Sequence, residues 1–157
     1  MHNSQEFFDT NPGRFQILLI DDNEADAKLF EHALREAAPR VRVYWLASGD
    51  EALEYLEKRG RFERVGSVSI VVSDLNMPGL NGYELLSRIK KSSTLKSVPF
   101  IVYSGSASAR DITLCYSLGA NSYIVKPMTM DGMVEQLKSM VHYWLETVRL
   151  ADQSVPD

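Results

Sequence analysis

Four of the five short apolar runs in this chain end on a residue that could do chemistry. FQILLI (15–20) runs into Asp21-Asp22, SIVVS (69–73) into Asp74, FIVYS (100–104) closes on Ser104, and NSYIV (121–125) runs into Lys126-Pro127. The fifth run, VRVYWL (41–46), carries no such group at its end. Taken singly these residues are ordinary. An acid after a strand is commonly a helix N-cap, a serine there bonds its own backbone, and a lysine before proline is a turn. Taken together, at matching strand ends, three carboxylates, a hydroxyl and an ammonium would share one edge of a sheet. Crowded carboxylates repel, so one takes a proton unless a cation neutralises them. A hard dication with oxygen ligands fits, and Mg²⁺ held by one or two carboxylates is the usual partner of a phosphoryl oxygen. A carboxylate can also attack phosphorus to give an aspartyl-phosphate, and a fixed lysine charge can steady a phosphoryl oxygen.

The elements that must position these groups follow from the pattern between them. Helix-period segments near 25–37, 50–59, 82–91, 107–118 and 130–150 alternate with the five runs, and no internal repeat underlies the alternation. The stretches 17–20 and 70–72 are continuously apolar, as strands covered on both faces require. The expectation is an α/β fold: a doubly wound, five-stranded parallel sheet flanked by five helices. Open parallel sheets bind ligands at the carboxyl ends of their strands, which is where these residues fall. Pro39 stops the first helix, Ser48 to Glu51 reads as a capping box for the second, and Gly119 sits where the fourth ends.

The 157 residues, 45% of them hydrophobic, suffice for one core. The expected division is a polar arm over 1–14, a domain over 15–150 with a long last helix, and a tail over 151–157 too short for an output domain. A net charge of −4, from 21 Asp+Glu and 17 Lys+Arg, without a basic run, argues against nucleic-acid binding. No stretch approaches the roughly 18 to 20 apolar residues that cross a bilayer, and no signal-peptide pattern opens the chain. The lone Cys115 fits a reducing compartment, so a cytoplasmic protein is expected. Its place within the fourth helix suits a small buried hydrophobe better than a reactive thiol.

The motifs ILLIDDN (17–23), SDLNMPGLNGYELL (73–86), VYSGSAS (102–108) and LGANSYIVKP (118–127) together resemble the receiver domain of two-component response regulators. The resemblance covers about Phe15 to Leu150 and implies a flavodoxin-like strand order 2-1-3-4-5. It makes Asp74 the phosphoacceptor, Asp21 and Asp22 the Mg²⁺-binding pair with Asp74, and the Asn76 backbone carbonyl a further metal ligand. Ser104 takes the place of the switch hydroxyl, Tyr123 that of the switch aromatic, and Lys126 that of the family's lysine. Asn76 and Ser106 match the positions that tune dephosphorylation, Gly105 the position kept small for the phosphoryl group, and Lys126-Pro127 a cis peptide bond. Ser104 departs from the commoner threonine, which frees χ1.

About 52 residues separate Asp22 from Asp74, more than in minimal receivers, and HYWLETVRL (142–150) prolongs the last helix. With NEADAKLFEHAL (23–34), these features resemble small stand-alone regulators paired with phytochrome-type histidine kinases. The implied partner is therefore a sensor histidine kinase, which supplies the donor histidine. Trp144, Leu145, Val148 and Leu150 extend the apolar side of the last helix, and a homodimer through that helix and the strand-five face is expected. An aspartyl-phosphate phosphatase would need an acid where Asn76 stands, so turnover of external substrates is not expected. A degenerate receiver serving only for docking is the other alternative, and the presence of all three acids and Lys126 weighs against it.

Overall fold

A computed structural model describes residues 15–152; the arm expected over 1–14, with His2 and Phe7-Phe8, and the tail from 153 onward lie outside the described residues. Strand β1 (Gln16–Ile20) leads into α1 (Glu24–Ala37), β2 (Arg42–Leu46) into α2 (Gly49–Leu56), and β3 (Ile70–Ser73) into α3 (Gly82–Lys91). The chain continues through β4 (Phe100–Ser104), α4 (Ala109–Ser117), β5 (Ser122–Val125) and α5 (Met130–Val141). All strand pairs are parallel and the order is β2-β1-β3-β4-β5.

Period-two alternation along the central strands divides the core. Leu18 and Ile20 of β1 pack with Val71, Phe100 and Val102 under α2 and α3. Ile17 and Leu19 pack with Ile70, Val72, Ile101 and Tyr103 under α1 and α5. Each central strand is therefore buried at every position, whereas the edge strands β2 and β5 are mostly half-buried. The buried stripe of α1 is Ala27, Phe30, Ala33 and Leu34, and its helical spacing fixes the helix's rotation on the sheet.

Caps begin the helices at the strand ends. The Asn23 side chain accepts the Asp26 N–H, Ser48 the Glu51 N–H, Asn81 the Glu84 N–H, and Ser108 the Asp111 N–H. Each cap satisfies an amide that the helix leaves without a partner, a contribution of about 1 kcal/mol. The residues between α2 and β3 wind into a short 3₁₀ turn, Gly60–Phe62, that buries Phe62 against Tyr44 and Tyr55.

Two expectations need correction. The last helix does not run regularly to 150. It ends at Val141 and continues as a π-helical segment, His142–Thr147, with the Val148 N–H donating to the Tyr143 carbonyl five residues back. The wider turn seats Leu145 in the core, 5% exposed, and leaves Trp144 and Leu150 packed on the α1/α5 cluster. The stripe expected to face a second copy therefore belongs largely to the monomer's own core. The Lys126-Pro127 bond is trans, since the structure has no cis peptide among the described residues. Trans is the lower state of an X-Pro bond by about 0.5–1 kcal/mol. In that state the Lys126 ammonium already reaches the acidic cluster described below.

Candidate functional site

Strand register assembles the site. Ile20 of β1 lies opposite Ser73 of β3, and the Asp74 N–H donates to the Ile20 carbonyl at 2.9 Å. Asp21 and Asp74 thus leave neighbouring strands at one level, beside the point where the strand order reverses. On the other side of β4, Ser104 is opposite Val125, and the Lys126 N–H donates to the Ser104 carbonyl at 2.7 Å. Gly82 makes room behind Asp74, because a Cβ there would stand 2.1 Å from the Asp74 carbonyl oxygen. A Cβ on Gly105 would meet nothing within 4 Å. Packing therefore gives no reason for glycine at 105, and the open space beside Ser104 is what that residue contributes.

Asp21, Asp22 and Asp74 each present a carboxylate oxygen, all within 4.8 Å of one another. A donor set of oxygens, without nitrogen or sulfur, suits a hard dication such as Mg²⁺ or Mn²⁺ and not zinc. Lys126 closes the cluster from across the sheet. Its ammonium lies 3.0 Å from Asp21 Oδ2, from Asp74 Oδ2 and from Asp26 Oδ2. It also stands 5.7 Å from the centre of the Tyr103 ring.

Asp26 is the member that sequence reading missed. It sits in the first turn of α1, 100 residues from Lys126 in the chain. A signal was present: Asp26 precedes Phe30 by four and Ala33 by seven, which places it in line with the buried stripe at the end nearest the acids. Four carboxylates and one ammonium leave the pocket a formal −3.

Burial pushes the Asp21 carboxyl above its usual range, against the opposing effects of the Asn23 N–H and of Lys126. For Lys126, burial by itself would favour the neutral amine. The hydrogen bonds and charges of Asp21 and Asp74 outweigh it, so the side chain stays cationic well into the alkaline range. Asp74 Oδ1 accepts the N–H of Leu75 at 2.7 Å, which fixes the carboxylate's other face.

A second group of residues begins at Ser104, which is 1% exposed. Its hydroxyl accepts the Ser106 N–H at 3.2 Å. The Ser106 hydroxyl donates to Asp111 Oδ2 at 2.6 Å, the Tyr83 hydroxyl donates to Asp111 Oδ1 at 2.9 Å, and the Tyr123 hydroxyl donates to the Ser106 carbonyl at 2.9 Å. The hydrogen bonds from Ser106, then from Tyr83, hold the Asp111 carboxyl below its ordinary value. Ser106 thus spends its hydroxyl on Asp111, and Asn76 is exposed two residues beyond Asp74. Tyr123 is half-buried, packed against the α2/α3 side of the core and tied to the loop after β4. Neither Asp111 nor Tyr83 was foreseen from sequence, because their roles depend on where α3 and α4 meet.

Other reactive residues lie apart from this site. Cys115 is fully buried, and desolvation pushes its thiol up to about 11. His32 and His142 are exposed on helical segments, with His142 paired to Glu146. No helix among the described residues is long and apolar enough to cross a membrane.

The response regulator receiver domain family matches residues 17–138. The response regulator Rcp1 of Synechocystis is 30% identical over 142 residues, which cover 90% of this chain and 96% of that protein. Among solved structures, the phosphorylated cyanobacterial phytochrome response regulator RcpA superposes with a TM-score of 0.82 at 32% identity, covering 88% of this chain and 99% of that one. The Mn²⁺-bound form of Rcp1 superposes with a TM-score of 0.79 at 29% identity over the same shares.

Proposed function

We propose that this chain, which belongs to the response regulator receiver domain family, takes a phosphoryl group onto Asp74 and signals through the change of shape that follows. The observation that carries the reading is the Lys126 ammonium held 3.0 Å from Asp74 at the edge of a three-carboxylate cluster. An Asp74 carboxylate oxygen forms the new bond to phosphorus as the P–N bond of a phosphohistidine on a sensor histidine kinase breaks and the imidazole leaves. Mg²⁺, held by Asp21, Asp22, Asp74 and the Asn76 backbone carbonyl, supplies positive charge that offsets the acids and the phosphoryl oxygens. The metal named for one similar structure, Mn²⁺, is of the same hard, oxygen-seeking class. Lys126 orients a phosphoryl oxygen, and Gly105 leaves it room.

The chemistry is confined to the chain's own phosphorylation and dephosphorylation, with Asn76 and Ser106 setting the rate of loss. Ser104 turns its hydroxyl toward the phosphoryl group and gives up the Ser106 N–H, and the Tyr123 ring moves with the loop it is tied to. The partner is a phytochrome-type kinase in the cytoplasm, on the strength of the likeness to phytochrome response regulators over nearly their whole length. The receiver unit spans 15–150.

Readout runs through α4, β5 and α5. Leu114 and Tyr116 on α4 and Tyr143 beyond α5 are 42%, 49% and 52% exposed, and they are the apolar groups this face offers a partner or a second copy. Charge-bearing replacements at Leu114 and Tyr143 should abolish any self-association seen by sedimentation; unchanged dimer formation would remove this face from the account.

Incubation with acetyl phosphate and Mg²⁺, followed by intact mass, tests the phosphoacceptor assignment. Wild type should gain one phosphoryl mass and Asp74→Asn none. No gain on wild type, or equal gain on both, overturns it.

A further inference from the structure

The Lys126 ammonium has three N–H donors and, at rest, three carboxylates on them. A phosphoryl oxygen can join Lys126 only by displacing one of these partners. The three acids are not equally held. Asp21 has a side chain 4% exposed and accepts the Asn23 N–H on its other oxygen at 2.9 Å. Asp74, 15% exposed, accepts the Leu75 N–H at 2.7 Å and carries the new bond. Asp26, at 41% exposure, has Lys126 as its one ion-pair partner among the described contacts. Rehydration costs Asp26 least, and its place in the first turn of α1 keeps a favourable helix-end environment when the lysine leaves.

From this we infer that Asp26 is a placeholder for the phosphoryl oxygen: a positioning residue that occupies the third donor of Lys126 at rest and yields it when the phosphoryl group arrives. Two consequences follow from charge alone. The lysine is held in its working direction before any donor binds, so no rotamer search precedes transfer. At the same time Asp26 competes with the incoming anion, and its own negative charge sits beside the place the phosphoryl group must enter. A simple anchor would make Lys126 less effective when lost. A competing placeholder makes the pocket more receptive to the anion when its charge is lost, because Asp21 and Asp74 still hold the lysine. The sign of the effect separates the two.

The inference rests on the phosphoacceptor assignment, and the test keeps the two apart. Beryllofluoride, a phosphoryl mimic that needs no turnover, is titrated in the presence of Mg²⁺ with tryptophan fluorescence as the readout. Trp45 donates its indole N–H to the Asp21 carbonyl at 2.7 Å and so reports on the pocket. Asp26→Asn keeps the size and local hydrogen bonding of the side chain and removes the charge. It should bind beryllofluoride about three- to fivefold more tightly, the range that a partly exposed ion pair supports, and half-saturate with acetyl phosphate at correspondingly lower concentration. Asp26→Glu, which keeps the charge, should stay near wild type. Weaker or unchanged beryllofluoride binding by Asp26→Asn, in protein of normal thermal stability, overturns the placeholder while wild-type phosphorylation leaves Asp74 in place. Failure of wild type to gain phosphoryl mass overturns the underlying assignment instead.

Discussion

Two aspartates near the same sheet edge are displaced in opposite directions. Asp21 is buried among acids that share one lysine, and its carboxyl is pushed up by desolvation. Asp111 stands on the surface with two hydroxyls on its oxygens, and its carboxyl is held down by them. The pocket has more acceptors than cations to serve them, whereas in the relay from Ser104 to Tyr83 each Asp111 oxygen has its own hydroxyl donor. The first region holds unbalanced negative charge that a dication can offset. The second has no such excess, and under the proposed switch it changes only if one of its hydrogen bonds breaks.

Replacing the shared cation should have the largest effect. Lys126→Met leaves Asp21, Asp26 and Asp74 without it, and urea unfolding in chelator should show a loss of about 2–3 kcal/mol, part of it restored by Mg²⁺. Stability equal to wild type in chelator would mean the acids do not depend on that lysine, and the contrast between the regions would collapse. Asp111→Ala removes the acceptor of two hydroxyl groups and should cost less stability than Lys126→Met, with little dependence on Mg²⁺. A Mg²⁺-dependent loss there would merge the relay with the pocket.

Ser104→Thr should matter less to stability and more to timing. The added methyl enters a site 1% exposed but suits a strand, so the change in stability should stay within about 1 kcal/mol. A hydroxyl with less rotational freedom should lengthen the life of the phosphorylated form about two- to threefold, read by intact mass after donor removal. An unchanged lifetime would show that serine is no looser than threonine here.

The smallest effect expected is with pH. Asp111 contributes stability that is fully present above the ordinary carboxyl value of 3.8 and is lost as pH falls through its lower folded value. Amide NMR shifts of Ser106 and Ser108 should therefore hold steady from neutrality to about pH 4 and move only below it. Movement nearer pH 5 would mean that the hydroxyls do not hold the carboxyl down.

The alternation of apolar runs with helix-period segments was enough to predict five parallel strands, and every pair is parallel; the order β2-β1-β3-β4-β5 matches what the receiver resemblance implied. The capping box at Ser48–Glu51 and the helix end at Gly119, with φ at 102°, were equally readable, because each is a local backbone requirement. The fate of Trp144, Leu145 and Leu150 was not. Apolar spacing says that a face will be covered, and only the π-helical turn after Val141 decides that the chain's own core covers it.

By itself the sequence determined which residues stand at the strand ends, since a strand delivers its last side chain to the sheet edge wherever it is placed. That brought Asp21, Asp22, Asp74, Ser104 and Lys126 to one edge, and it tied their chemistry to phosphoryl transfer through the receiver motifs. The tertiary structure alone decided what those residues touch. Asp26 meets Lys126 because the packing of Ala27 and Phe30 sets the rotation of α1, and Asp111 meets Tyr83 because α3 and α4 approach one another. Such contacts join elements far apart in the chain, and their geometry is fixed by the core beneath them, which no local pattern encodes.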